Sequence, residues 1–228
     1  MTQPTASQSI LSVRNISKTY HLGEVKVPAL QGVSLEVAHG DFLVITGRNG
    51  SGKSTLLRQL GLLDVPDSGE IFLEGAPVTH LSENARRELR LLRLGYIFQE
   101  YALIAELTAL ENVMIPALTL GPPRQCKNHA QDLLQRVGLE KRSHHLPKQL
   151  SGGEQQKVAI ARALMNGPKI IFADEPTANL DSIAAASVLE IFRELNERDG
   201  LTMIMITHEE EERRYAKRII TLADGKIV

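Results

Sequence analysis

Residues 47–55 read Gly47-Arg48-Asn49-Gly50-Ser51-Gly52-Lys53-Ser54-Thr55. The stretch fits the pattern G-x-x-x-x-G-K-[ST], a loop whose backbone N–H groups surround phosphates while the lysine reaches the β- and γ-phosphates. Its glycines let the backbone turn sharply and approach the phosphates closely. Ser54 then offers a hydroxyl to Mg²⁺, and Thr55 can hydrogen-bond a phosphate oxygen. The stretch therefore predicts a nucleotide site in which all nine residues take part.

The sequence on either side of this loop fits the same interpretation. An apolar run at 42–45 predicts a buried strand before the loop. After it, leucines with helical spacing predict a helix over 54–63. The order strand, glycine loop, helix is the context that the phosphate-binding motif requires.

The second half of the chain alternates strands with helices. Short apolar runs at 170–173 and 202–207 predict strands, and apolar stripes at 154–165 and 182–198 predict helices. Such alternation predicts an α/β fold with a parallel sheet that helices cover on both faces. We therefore expect a P-loop NTPase core with a mixed, mainly parallel sheet, closed by a hairpin around Asp224-Gly225.

Two segments depart from this alternation. The pattern over 10–46 is mostly that of strands, which predicts an N-terminal antiparallel β subdomain. Between 99 and 150, prolines and glycines punctuate helical stretches such as 128–137, with no strand pattern. We predict one domain over 1–228, with a catalytic core of 10–98 and 151–228 and an inserted helical subdomain of 99–150.

The composition of the chain bears on its expected partners and location. The chain has 26 basic and 27 acidic residues, so it lacks the basic field that drives binding to a phosphate backbone, and no nucleic acid is expected. A single cysteine, Cys126, excludes an intramolecular disulfide. Residues 1–9 lack a signal-peptide pattern, and no apolar run is long enough to cross a bilayer. We expect a cytoplasmic chain without a membrane span of its own.

A pair of carboxylates, Asp174-Glu175, follows the apolar run at 170–173. An acidic residue at a strand end is common and needs no function. In a chain with a phosphate-binding loop, however, the pair fits a metal-positioning acid followed by a base for the attacking water. Asp174 is therefore predicted to hold Mg²⁺, and Glu175 to activate water.

A second motif lies about a hundred residues after the loop: Leu150-Ser151-Gly152-Gly153-Glu154-Gln155-Gln156. Ser and Gly often begin helices, so the turn could simply cap the helix that follows. The motif nevertheless resembles the signature of the ATP-binding cassette family, and the resemblance covers the chain from about Ile10 to Val228. In that family, ATP lies between the loop of one subunit and the Ser151-Gly152-Gly153-Glu154 turn of another. The resemblance thus implies an ATP-dependent homodimer with two composite sites.

The resemblance also assigns roles to isolated residues that their surroundings alone would not. His208, after the strand at 202–207, corresponds to the switch histidine that contacts the γ-phosphate. Gln99 corresponds to the glutamine that senses Mg²⁺ and the attacking water. Tyr20 corresponds to an aromatic that stacks on adenine, and Asp181 belongs to a loop at the dimer seam.

Within the family, the stretches at 94–99 and 107–113 look most like the group that serves lipoprotein release, macrolide-type efflux and cell-division permeases. The resemblance implies Mg-dependent ATP hydrolysis that powers an integral-membrane permease at the cytoplasmic face of the membrane. The permease is expected to dock near 99–111. The alternative is an ATPase that regulates a membrane protein without transport. The charged run at 209–214 is interpreted as a solvated helix face.

Overall fold

Six strands form the central sheet in the order β10-β9-β3-β8-β7-β6. The computed structural model describes residues 9–228, so the prediction about a leader at 1–9 falls almost wholly outside it. The strands are β3 (Phe42–Thr46), β6 (Leu94–Ile97), β7 (Ile170–Asp174), β8 (Thr202–Ile206), β9 (Arg218–Ala223) and β10 (Lys226–Ile227). All neighbours pair in parallel except β10, which is antiparallel to β9. The predicted mixed, mainly parallel sheet is confirmed.

A second, four-stranded sheet has the order β2-β1-β4-β5 and is antiparallel throughout. Its strands are β1 (Ser9–Leu22), β2 (Val25–Ala38), β4 (Ser68–Leu73) and β5 (Ala76–Pro77). In the second half of β2, Val33, Leu35 and Val37 are buried while the residues between them are exposed. This alternation is that of a strand with one face on the core and one in water, and it confirms the N-terminal antiparallel sheet.

Six α-helices complete the described part of the chain. They are α1 (Lys53–Leu60), α2 (Glu83–Arg93), α3 (Ala109–Met114), α4 (Pro123–Arg136), α5 (Gly152–Leu164) and α6 (Ser182–Glu197). Successive residues of β3 point to opposite faces of the central sheet. Phe42 and Val44 pack into a core with α3 to α6, whereas Leu43 and Ile45 pack into a core with α1 and the antiparallel sheet. The glycine-rich loop at 47–55 therefore leaves a strand that is fixed on both sides.

The segment 99–150 contains α3, α4 and three single-turn 3₁₀ helices, Ile115–Ala117, Glu140–Arg142 and Pro147–Gln149. Helix α3 begins at a reciprocal cap, in which the Thr108 hydroxyl accepts from the Glu111 N–H and the Glu111 carboxylate accepts from the Thr108 N–H. The buried Asn112 amide bonds to the carbonyls of Ile104, Leu107 and Thr108. The helical content agrees with the prediction. That 99–150 forms a distinct subdomain stays a proposal.

Some boundaries differ from the predicted ones. Strand β6 was not predicted, because its four residues directly follow the charged helix α2. Helix α1 ends at Leu60 rather than 63, since Leu62 takes a positive φ of 58°. Helix α4 begins earlier than predicted, at Pro123, because proline fits the first turn of a helix, where its missing N–H costs nothing.

The prediction of a solvated helix face at 209–214 was wrong for Glu212, which is buried, whereas Glu209, Glu210, Glu211 and Arg214 are exposed. Residues Glu211–Tyr215 form a 3₁₀ helix, and Glu212 is only 5% exposed. Side chains at i and i+3 share a face of such a helix. Because Tyr215 packs against the core, Glu212 is turned inward with it. Among residues 9–228, no helix is long and apolar enough to span a membrane.

Candidate nucleotide-binding site

The glycines of the loop are required by their surroundings. Gly47 has φ +145°, and a Cβ there would lie 2.2 Å from the Leu222 carbonyl oxygen. Gly52 has φ +102°, and its Cβ would lie 2.3 Å from the Ala29 oxygen. Gly50 has φ +78° but open space around it. The loop is thus pressed against β9 and β2 at both ends and free in the middle, where Arg48, Asn49 and Gly50 are exposed.

The N-terminus of α1 has unused hydrogen-bond donors. Gly52, in the left-handed region, precedes the helix without a side-chain cap. No hydrogen bond within residues 9–228 uses the backbone N–H of Gly50, Gly52, Lys53, Ser54 or Thr55. The buried hydroxyl of Ser51 likewise has no partner in this part of the chain. Uncapped helix N-termini attract anions, so these donors suit a chain of phosphates.

Lys53 is buried and bends back over the loop. Its Nζ donates to the carbonyl oxygens of Gly47 at 2.9 Å and Arg48 at 3.1 Å. An ammonium has three protons, so one donor remains. The side chain is therefore held above the loop with a proton left for a ligand.

Ser54 and Asp174 meet across the sheet edge. The Ser54 hydroxyl donates to Asp174 Oδ1 at 3.4 Å, which joins the start of α1 to the end of β7. Burial raises the pKa of the Asp174 carboxyl above its ordinary value of 3.8; the Ser54 hydrogen bond opposes this rise, and the neighbouring Glu175 charge adds to it. A hydroxyl and a carboxylate are the hard oxygen ligands that Mg²⁺ prefers. The pair fits the ion, which would neutralise charge on the transferred phosphate.

Glu175 and His208 leave neighbouring strands and converge. His208 Nδ1 lies 3.5 Å from Glu175 Oε1, and His208 Nε2 lies 3.0 Å from Glu209 Oε1. Glu175 has φ +44°, and its N–H donates to the Ile206 carbonyl at the end of β8. The strained backbone directs the carboxylate out of the strand. The structure thus brings together Lys53 to Thr55 on one side and Asp174, Glu175 and His208 on the other.

Gln99 is exposed and is held at its backbone by Asn179. Its backbone carbonyl accepts from the Asn179 side chain at 3.1 Å, and no hydrogen bond within residues 9–228 joins its side chain to Ser54 or Asp174. Asn179 also accepts, through its carbonyl, from the Tyr101 hydroxyl. Asp181, two residues further on, caps α6 by accepting from the Ala184 N–H at 2.8 Å.

The Ser151 turn begins α5 with a complete capping box. The Ser151 hydroxyl accepts from the Glu154 N–H at 3.2 Å, and Glu154 Oε2 accepts from the Ser151 N–H at 2.8 Å. Arg142 donates to the other Glu154 oxygen at 3.1 Å. Within the described chain, the N–H groups of Gly152 and Gly153 have no acceptor. Local capping, the simpler interpretation of this turn, is therefore present, and two donors are left over.

Tyr20 is held by its hydroxyl rather than packed in the core. The hydroxyl donates to Asp64 Oδ2 at 3.0 Å, and Lys18 bridges to the same carboxylate at 3.3 Å. Burial works against ionisation of Asp64, but hydrogen bonds from Val65, Tyr20 and Lys18 together lower its pKa. The ring is half-buried with its orientation fixed.

Sequence reasoning missed several polar residues that connect these parts. They are Asp64, Tyr101, Gln156, Arg162, Thr177 and Glu212. Gln156 donates to the Pro176 carbonyl at 2.6 Å, and Arg162 donates to the carbonyls of Tyr101 and Ala102. The partners of Gln156 and Arg162 are backbone atoms 20 to 61 residues away in sequence. The only sequence signal was a polar side chain at an apolar helix position, as for Gln156.

The family model described as ABC transporter matches residues 30–178. The chain belongs to the ABC transporter family. A lipoprotein-releasing system ATP-binding protein, LolD 2 of Rhodopirellula baltica, is 43% identical over 97% of this chain and 89% of its own length. A macrolide export ATP-binding/permease protein, MacB of Syntrophobacter fumaroxidans, is 44% identical over 96% of this chain, which spans only 31% of that protein.

Among solved structures, the ATP-binding cassette MJ0796 is similar to this ABC chain. Its dimeric post-hydrolysis state bound to ADP and Pi superposes with a TM-score of 0.88, at 40% identity over 95% of this chain and 96% of that one. The chain is therefore an ABC-type ATP hydrolase, the ATP-binding subunit of a transporter.

Proposed function

We propose that two copies of this chain hydrolyse Mg-ATP at their shared interface and thereby drive a separate integral-membrane permease of the efflux or lipoprotein-release type. The observation that carries the proposal is the set of unused N–H donors at the start of α1, opposite the Asp174-Glu175-His208 cluster. The MacB and LolD relatives support the choice of permease class.

Within one chain, the loop binds the triphosphate. The free N–H groups of Gly50 and of 52–55 donate to phosphate oxygens, and Lys53 adds its remaining proton. Tyr20 stacks on adenine, with Asp64 fixing the ring. Ser54 and Asp174 would hold Mg²⁺, and Gln99 would supply a further oxygen ligand from its loop.

Glu175 acts as the base and His208 keeps it in place. The Glu175 carboxylate, directly after the end of β7, accepts a proton from the attacking water. The His208 ring lies between two carboxylates, with Nδ1 3.5 Å from Glu175 Oε1 and Nε2 3.0 Å from Glu209 Oε1, so it limits the movement of Glu175. Both side chains remain partly exposed, which leaves room for water.

The second subunit contributes the Ser151 turn. The Ser151 hydroxyl accepts from Glu154 through its oxygen, so its proton stays free to donate. Together with the unused N–H groups of Gly152 and Gly153, it offers three donors at a helix N-terminus, which suits a γ-phosphate. Asp181 lies at the seam between subunits in this arrangement.

The permease docks in a groove of about 1050 Å³ between α2, β6, the 3₁₀ turn after α3, and α5. Its wall includes the exposed apolar side chains of Leu63, Phe98 and Leu120. The residues that line the groove precede or follow the predicted docking segment 99–111 in sequence, and only Ala102 belongs to both. In this arrangement the subunit works at the cytoplasmic face of the membrane.

A complementation experiment tests the composite site. Lys53→Ala and Ser151→Ala each impair both sites of a homodimer, but a mixed dimer contains one site with Lys53 and Ser151 both intact. Mixing the two inactive variants is expected to restore measurable phosphate release. No recovery in mixtures shown by mass spectrometry to form heterodimers would contradict the shared-site proposal.

A further inference from the structure

The carboxylate of Glu212 is buried although its neighbours are not. In the run Glu209-Glu210-Glu211-Glu212, the first three side chains are exposed and Glu212 is 5% exposed. Its Oε1 accepts a hydrogen bond from the Thr177 hydroxyl, itself only 5% exposed. Its Oε2 has no hydrogen-bond partner in residues 9–228.

Burial of the Glu212 carboxylate lowers the stability of the fold. A buried carboxylate loses hydration, and one hydroxyl donor compensates for only part of that loss. Within the described residues no Lys, Arg or His lies within ion-pair distance of Glu212. An apolar side chain would fill the same space at a lower cost in free energy. The presence of a carboxylate therefore indicates a role in positioning other residues.

Glu212 and Thr177 belong to the two segments that carry the reacting side chains. Thr177 lies two residues after Glu175, and Glu212 lies four residues after His208. The segments leave the paired strands β7 and β8, where the Glu175 N–H donates to the Ile206 carbonyl at 3.1 Å. Beyond that point, the Glu212–Thr177 hydrogen bond is a second tie between them. Within the His208 segment, Arg213 donates to the His208 carbonyl at 3.3 Å.

We propose that Glu212 is a positioning residue for hydrolysis, which holds the His208 segment against the Glu175 segment through the Thr177 hydroxyl. The inference rests on the proposed function, because it presumes that His208 and Glu175 act on water. With the tie in place, the His208 ring stays within reach of the Glu175 carboxylate. Without it, the hydrogen bond that remains between the two segments, among residues 9–228, is the one from Glu175 to Ile206 at the strand ends.

The test uses Thr177→Val, which removes the hydroxyl at nearly constant shape, and Thr177→Ser, which keeps it. We expect Thr177→Val to lower kcat about tenfold, a loss equivalent to about 1.4 kcal/mol, with KM for ATP unchanged. Thr177→Ser should retain most of the turnover. Glu212→Ala should resemble Thr177→Val, and the exposed neighbour Glu211→Gln should match the wild type.

Repeating Thr177→Val in a His208→Ala background distinguishes positioning of His208 from a general contribution to folding. If Glu212 acts through His208, the second substitution should leave kcat unchanged there, whereas a general loss of folding would lower it equally in both backgrounds. Equal losses in both backgrounds, or normal turnover by Thr177→Val where His208→Ala is impaired, would overturn this inference alone. Normal turnover by His208→Ala would reject the proposed role of His208 and this inference with it.

Discussion

The chain contains two helix N-termini that we propose to bind phosphate, and they are built in opposite ways. Helix α1 has no side-chain cap and leaves a row of N–H groups unused, whereas α5 begins with a full capping box between Ser151 and Glu154. The first is fixed by the buried strand β3 and pressed against β9 and β2. The second begins at the exposed Ser151 and continues into the buried Gly153. One terminus keeps its donors for a ligand of its own chain. The other is locally stable and has only a few donors left for a neighbour.

The largest expected effect is on ATP binding, and it separates the two termini. Lys53→Ala removes the ammonium that lies over the loop and should lower ATP affinity about a hundredfold. This equals about 2.8 kcal/mol, which lies in the upper part of the range of about 1.5–3 kcal/mol for a hydrogen bond to a charged group. Ser151→Ala should leave the affinity of an isolated subunit unchanged. Calorimetry below the dimerisation concentration measures both. Equal losses would show that the termini do not differ in the proposed way.

The next effect concerns stability on the α1 side. Gly47→Ala places a Cβ 2.2 Å from a backbone oxygen and should cost about 3 kcal/mol or more. Gly50→Ala is the matched control, because it has open space and only a positive φ, which costs about 1–2 kcal/mol. Urea denaturation compares them. If Gly47→Ala were as stable as Gly50→Ala, the packing of the loop against β9 would be refuted.

On the α5 side, the cap predicts a smaller change. Ser151→Ala should lower the free energy of unfolding by about 1 kcal/mol, the usual cost of losing a helix cap. Ser151→Asn, which can still cap the helix, should recover most of this loss but not the hydroxyl proton. A variant that regains stability without regaining hydrolysis would separate capping from the proposed contact in trans.

The smallest effect is a gain in stability at Asp174. Burial raises the pKa of the Asp174 carboxyl in the folded state above its value in the unfolded state. The folded state therefore keeps a proton at pH values where the unfolded state has lost it. The free energy of unfolding is highest below the ordinary pKa and falls as the pH rises through the raised pKa. Asp174→Asn should therefore raise Tm slightly at neutral pH, with the difference vanishing below pH 3.8, while Mg-dependent hydrolysis is lost. A lower Tm at pH 7 would contradict the desolvation argument.

Much of the fold could be predicted because periodicity and glycine placement are local. Three features can be recognised from residues that lie close together in sequence: the run at 42–45, the loop at 47–55 and the apolar stripe of α6. Strand β6 could not be predicted, because four residues after a charged helix give too short a period to detect. The charged run at 209–214 misled because charge normally indicates solvent, and Glu212 is buried by a partner 35 residues away.

The sequence by itself determined the phosphate-binding loop, the acidic strand end and the Ser151 turn, since each depends on residue types at fixed local spacing. Only the tertiary structure decided that Ser54 meets Asp174, that Glu175 meets His208, and that Glu212 holds Thr177. These contacts join residues brought together by parallel strands. Strand order and register set such distances, and no local pattern of residues records them.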